Sequence, residues 1–273
     1  MRKINNEYWS FLIHFLFRKG EVDHTVYAYV LDTGINPDHT DFEGRATPWY
    51  DAVADGRNGI DCNGHGTHCA GILGSKTYGV AKDTQIRMVR VLDCWGKGQH
   101  STLLAGMEYI VANGDQPGVV SMSLISYGSR ALDDGTQKLL DSGFAVAAAA
   151  GNRNRNACYY SPARVKGIMT VGATDFFDTR NSDSNYGKCV DIFAPGSYIT
   201  SLGHDSTTAT DTKSGTSMAC PFVAGAAALL LGKDPSLTHA EVKSKIVDMS
   251  SKDKITDAGD HSPNRLLYIN LSQ

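Results

Sequence analysis

Four residues spread along the chain have the side chains needed to cleave an acyl bond. Ser217 lies in Ser214-Gly215-Thr216-Ser217-Met218-Ala219-Cys220-Pro221, just before the apolar stretch 222–231. A serine hydroxyl is a weak nucleophile until a neighbouring base takes its proton and a third group orients that base. His65, in Asn63-Gly64-His65-Gly66-Thr67-His68-Cys69-Ala70-Gly71, is the candidate base. Asp32, at the end of the apolar run 26–31, is the candidate orienting carboxylate. Asn152 follows Ala147-Ala148-Ala149-Ala150-Gly151, and an amide there can donate to a developing oxyanion. Serine is also a preferred helix cap, so Ser217 alone says little. Small residues on both sides of it, as a closely approaching substrate requires, and the three partners elsewhere carry the catalytic reading.

These side chains must be positioned by the elements around them. The stretch after Ser217 is rich in Ala and Leu with no charge, which reads as a buried helix. Pro221 is tolerated only near a helix start, so the helix begins close to Ser217. Short apolar runs at 26–31, 86–91, 118–124, 145–150 and 168–171 read as buried strands. Stretches 65–73, 101–112, 133–142, 217–232 and 238–249 read as helices. Strands separated by helices imply a parallel sheet covered on both faces. Asp32 and Asn152 fall just past strands, where open α/β sheets carry their sites.

The order Asp, His, Ser, together with DTGI at 32–35, GHGTHCAG at 64–71, GVAK at 79–82, AAGN at 149–152, YSPA at 160–163, TVGAT at 170–174, DIFAPG at 191–196 and SGTSMA at 214–219, resembles the subtilisin-like serine proteases (subtilases). Within them it is similar to the proteinase K branch, over roughly residues 25 to 270. The resemblance implies an α/β, three-layer fold with a mainly parallel central sheet flanked by helices. It also implies peptide-bond hydrolysis by an Asp32–His65–Ser217 triad through an acyl-enzyme, with Asn152 at the oxyanion. Substrate would bind by strand addition to Gly96-Lys97-Gly98 and Ser123-Leu124-Ile125. The primary pocket would lie between Ser123–Ser126 and Ala149-Ala150-Gly151. The family usually has two glycines where this chain has Ile125 and Ser126. Ile125 either points into the pocket and excludes large aromatic side chains, or points away toward the helix behind. Phe222 stands where histidine is usual, and Cys220 where threonine is usual.

The same resemblance implies bridges Cys62–Cys94 and Cys158–Cys189, with Cys69 and Cys220 unpaired. It implies no cofactor for the chemistry but a structural calcium held by Asp191 and the carbonyls of Lys166 and Ile168, the last two supplying backbone oxygen only. Asp191 as a solvated turn residue is the alternative. Two rival functions also stand. Cys62, His65, His68 and Cys69 have zinc-like spacing, with the last three on one helical face. A secreted binding protein that kept the fold and lost turnover would share every motif.

At 273 residues the chain fits one domain, and 20% charged residues with net charge −3 argue against nucleic-acid binding by bulk electrostatics. No apolar run reads as a membrane span. The expected partner is a protein or peptide substrate, met by a monomer. Six cysteines suggest an extracellular or other oxidising compartment, and reduced core thiols are the alternative. Residues 1–20 read as an irregular N-terminal extension before a peptidase domain at 21–273. Their apolar stretch 9–17 is short, contains His14 and runs into Arg18-Lys19, which is a poor signal peptide. Subtilases of this branch usually carry an inhibitory prodomain, for which these residues leave no room.

Overall fold

The structure, a computed structural model, describes residues 23–271. The extension expected at 1–20 lies outside them. In chain order the strands are β1 (Tyr27–Asp32), β2 (Ala46–Asp51), β3 (Gln85–Arg90), β4 (Gly118–Met122), β5 (Ser126–Tyr127), β6 (Ala145–Ala149), β7 (Tyr160–Ser161), β8 (Met169–Thr174), β9 (Ile192–Pro195), β10 (Ile199–Leu202), β11 (Thr210–Lys213), β12 (Ser251–Lys252) and β13 (Arg265–Leu266). Nine of them form one sheet in the order β12-β13-β9-β8-β6-β4-β1-β3-β2, parallel except for the β12–β13 pair. The α-helices are α1 (His65–Gly74), α2 (His100–Asn113), α3 (Arg130–Asp141), α4 (Thr216–Lys233) and α5 (His239–Met249). This is the three-layer α/β arrangement with a mainly parallel sheet that the alternating pattern implies.

Two cores lie on opposite faces of the sheet. Alternate residues of a strand point to opposite faces. Accordingly Ala28 and Val30 of β1 join the core shared with α1, α4 and α5, while Tyr29 and Leu31 join the core under α2 and α3. Asp32 continues the Ala28–Val30 parity, which aims it at the α1 side. The strand β6 repeats the logic with small residues: Ala145, Ala147 and Ala149 face α4, and Val146 and Ala148 face away. Alanines on both surfaces let α4 pack close to the middle of the sheet, where it touches β4, β6, β8 and β9.

The strands and helices expected from the sequence are present, with ends displaced by up to three residues. The strands β2, β5, β7, β9, β10, β11, β12 and β13 were not expected, because they are short or polar and take their strand state from a neighbour. One expectation needs correction. At 18 residues α4 is long and apolar enough to cross a membrane, but 89% of it is buried in the protein. Its apolar surface is taken up by the sheet and by α1.

Cys62–Cys94 and Cys158–Cys189 are disulfides, spanning sequence separations of 32 and 31 residues. The first ties the segment before α1 to the loop after β3, and so braces the approach to His65. Cys69 and Cys220 are free and buried. In the chain-entropy model a loop of this length is worth about 3–4 kcal/mol. Replacing Cys158 and Cys189 together by serine should therefore lower unfolding free energy by about that amount. Denaturant titration of both proteins, each with its own m-value, checks it.

Candidate active site

Asp32 is fully buried at the carboxyl end of β1, and His65 is the first residue of α1. The His65 Nδ1–H donates to Asp32 Oδ1 at 2.7 Å, and the Thr33 backbone N–H donates to the same oxygen at 2.8 Å. Burial pushes the His65 pKa down, but the Asp32 charge, the Cys69 sulfur and hydrogen bonds to both outweigh it and hold the pKa well above the ordinary value. Burial raises the pKa of the Cys69 thiol, so it stays neutral and Asp32 is the anion that retains the imidazole proton.

This contact needs the first turn of α1 to lie against the end of β1. A Cβ on Gly66 would strike the Gly34 carbonyl and fall 3.2 Å from the Asp32 Cβ, so only glycine permits the approach. Asp61 then locks it. Its Oδ1 accepts from Thr33 Oγ1 at 2.9 Å, Asn63 N at 3.0 Å and Gly64 N at 2.9 Å. Its Oδ2 accepts from Thr67 N at 2.9 Å and Thr67 Oγ1 at 2.6 Å. Thr33 Oγ1 in turn accepts from Gly66 N at 2.9 Å. A buried carboxylate facing the orphan N–H groups and positive end of a helix is favourable. Although burial opposes the charge, these donors hold the Asp61 carboxyl below its usual range. Sequence reasoning missed Asp61 and Thr33. Their signal was an acidic residue just ahead of a helix start and a hydroxyl beside Asp32.

Ser217 is the second residue of α4. Its Oγ donates to Ser123 O at 3.2 Å, and Ser123 Oγ donates to Ser217 O at 2.8 Å. The Cys69 sulfur lies 3.4 Å from Ser217 O and 3.8 Å from His65 Nδ1, so nucleophile and base flank one thiol. Catalytic hydrogen bonds are often long before substrate binds, and Ser217 Oγ here rests on Ser123. Asn152 Oδ1 accepts both the N–H and the Oγ1–H of Thr216, each at 2.9 Å. That pins the amide oxygen beside the nucleophile and leaves the Nδ2 hydrogens for the cleft. Asn185, also missed, is fully buried and clasps the loop around Asn152. It donates Nδ2–H to Ala150 O at 2.7 Å, and its Oδ1 accepts from Arg153 N at 3.1 Å and Arg155 N at 3.0 Å.

A cleft of about 600 Å³ runs from His65 between Trp95-Gly96-Lys97-Gly98 and Ser123-Leu124-Ile125-Ser126. The Lys97 backbone is also bonded within its own loop: its N–H goes to Asp93 Oδ1 at 2.9 Å and its C=O accepts from Asp93 N at 2.8 Å. Among the described residues Gly98 N, Gly98 O and Gly96 O keep no such partner. In the second wall, Ala149 lies within β6, while the Ala150 N–H bonds Val171 O and the Gly151 N–H bonds Thr216 Oγ1, so the segment supplies surface more than pairing edge. Ile125 reaches across to it. A Cβ built on Gly151 would meet Ile125 Cδ1 at 2.5 Å and Cγ2 at 3.4 Å. The isoleucine side chain thus lies against Gly151 across the cleft. Phe222 is buried in the core, and the Cys220 thiol sits 3.7 Å from Ser121 Oγ with its pKa pushed up to about 12 by burial.

The zinc reading fails on geometry. Cys62 is consumed in a disulfide, and His68 turns to the far side of α1, where its Nε2 meets Ile199 O and Asp211 O, each at 3.1 Å. Burial first, then the Lys213 charge, push His68 down to about 4, so it is a neutral core residue. Asp32, His65 and Cys69 do converge, but a neutral thiol and an imidazole nitrogen spent on Asp32 do not make a tetrahedral site. The calcium set does not fit either. The Lys243 ammonium lies 2.8 Å from Asp191 Oδ1 and 2.6 Å from Ile168 O, between two of the three expected donors.

A family model described as the subtilase family matches residues 24–267. The extracellular serine proteinase of Thermus sp. (strain Rt41A) is 50% identical over 89% of this chain and 59% of that protein. Alkaline serine exoprotease A of Vibrio alginolyticus is 48% identical over 89% of this chain and 45% of that protein. The chain thus spans about half the length of these curated relatives. Among solved structures, that of a cold adapted subtilisin-like serine proteinase superposes with a TM-score of 0.86 at 46% identity, covering 89% of this chain and 88% of the other.

The buried pair makes a titration prediction. A raised folded pKa means that the pair's stabilisation is fully present below the unfolded histidine value of about 6.5 and is lost as pH rises through the folded value. Ring NMR should show His65 titrating well above about 6.5, and the midpoint should fall toward that value in Asp32→Asn.

Proposed function

The chain belongs to the subtilase family, and from that premise we propose that it is a serine endopeptidase acting through Asp32, His65, Ser217 and Asn152. One observation carries the reading over a binding protein with lost turnover. The nucleophile and the oxyanion donor are rigidly coupled, since Asn152 Oδ1 holds both polar groups of Thr216, the residue before Ser217. Relatives at about 50% identity are named serine proteinases, which also favours turnover over a binding role.

In this reading Ser217 Oγ leaves Ser123 O, attacks the substrate carbonyl carbon and gives its proton to His65. Asp32 stabilises the imidazolium and keeps Nδ1 as the donor side. The oxyanion takes hydrogen bonds from Asn152 Nδ2 and the Ser217 N–H, one of the helix N–H groups without an intrahelical acceptor. His65 then protonates the leaving amine, and water repeats the sequence on the acyl-enzyme. Subtilases need no cofactor for catalysis. Calcium at Asp191 is not part of the reading, because Lys243 stands among its donors. Two disulfides and a relative named as extracellular support secretion.

The peptide adds as a strand against Gly98 and the 123–125 segment, with its side chain before the scissile bond directed between Ile125 and Gly151. Ile125 already occupies that slot, so small side chains such as alanine are preferred there to phenylalanine.

A fluorophosphonate should label wild type and leave Ser217→Ala and His65→Ala unlabelled. Equal labelling of wild type and Ser217→Ala removes the serine mechanism. Asn152→Ala should lower kcat by about 100- to 1000-fold with KM little changed.

For the pocket, Ile125→Gly should gain roughly tenfold in kcat/KM on a phenylalanine substrate relative to an alanine one. An unchanged ratio would mean that Ile125 does not line the pocket.

A further inference from the structure

We propose that Lys243 is the resident cation of the Asp191 site, doing from within the chain what a bound calcium ion would otherwise do. The inference stands on the geometry of this site and not on the peptidase reading.

Asp191 closes the turn before β9, and Ile168 ends the loop before β8. These neighbouring strands are already joined at this point, since the Thr170 N–H donates to Asp191 Oδ2 at 2.9 Å and the Asp191 N–H donates to Thr170 O at 2.9 Å. The remaining oxygens, Asp191 Oδ1 and Ile168 O, both accept from Lys243 Nζ, at 2.8 and 2.6 Å. Lys243 comes from α5, whose Val242 and Ile246 are fully buried in the adjoining core. One ammonium therefore ties the last helix to the entrances of two central strands.

The surroundings have the wrong sign for a divalent ion. A pocket of about 330 Å³ beside the site is lined by Arg164, Lys166, Lys188 and Lys243 against the single carboxylate of Asp191. Calcium needs six or more oxygens, commonly with several carboxylates, and here it would enter against an ammonium in contact with two of its donors. A lysine also differs in mass action. Stabilisation by a free ion falls as the ion is diluted or chelated, whereas an ammonium on the chain stays at a fixed effective concentration. Tethering α5 this way makes the site's contribution to stability independent of calcium.

The test uses melting temperature and terbium luminescence, in a Ser217→Ala background to prevent self-digestion. The parent should melt at the same temperature in chelator and in millimolar calcium, with no Asp191-dependent terbium signal. Lys243→Met should melt lower in chelator, recover with calcium and bind terbium, and both responses should vanish when Asp191→Ala is added. Lys243→Arg, which keeps a cation, should stay indifferent to calcium. The proposal is overturned if the parent loses stability on chelation and Asp191→Ala does not. It is equally overturned if Lys243→Met melts like the parent or ignores calcium. Should Lys243→Met fail to fold, the chelator and terbium responses of the parent against Asp191→Ala decide it alone.

Discussion

Everything at the site depends on how closely the first turn of α1 approaches the end of β1. Gly66 removes the side chain that would collide with Gly34 and Asp32. Asp61 supplies the opposing attraction, a buried carboxylate that gathers the orphan N–H groups of the helix and the Thr33 hydroxyl into one network. Each of those donors would cost free energy if buried without a partner. With the network complete, the His65–Asp32 contact follows from the backbone and needs no adjustment when substrate arrives. Such pre-organisation is what electrostatic stabilisation of a transition state requires.

The second half of the site is delivered by α4. Alanine on the helix and on β6 lets the two pack tightly, so the start of α4 is set by the core of the protein and not by a surface loop. Ser217 therefore sits on a rigid element, while its partners Ser123 and Asn152 extend from the ends of β4 and β6. Asn185 holds the Asn152 loop from behind by bonding backbone on both sides of it. Backbone bonds from Asn154 N to Asp183 O and from Asn185 N to Gly151 O hold the same loop, and the Asn152 amide oxygen ties it to Thr216.

Charge inside this protein is matched by charge from the same chain. Arg90 is fully buried between Asp51 and Asp55, with its Nε–H on Thr33 O at 3.1 Å, directly behind the Asp32 segment. Lys82 sends its ammonium to Gly79 O at 2.7 Å, and burial lowers its pKa to about 8. Lys243 treats Asp191 and Ile168 in the same manner. Burying any of these charges is tolerable only because oxygens surround it.

The chemistry was legible in the sequence because Asp32, His65, Asn152 and Ser217 each sit in a local signature: a strand end, a helix start, or a run of small residues. Those signals span fewer than ten residues and act through backbone geometry, so they survive without knowledge of the fold. The alternating elements and the cysteine positions were legible for the same reason. The direction of Ile125 was not, since it depends on where Gly151 comes to rest across the cleft. Nor was the bonding of the Lys97 backbone to Asp93, the clasp of Asn185, or the network of Asp61. The calcium expectation failed most instructively. Its donors are all in the sequence, but Lys243 lies more than fifty residues further on, and only the packing of α5 brings its ammonium between them. Local sequence determines which groups are available and how the backbone carries them. Which groups meet, and whether a site is already filled, is decided by long-range packing.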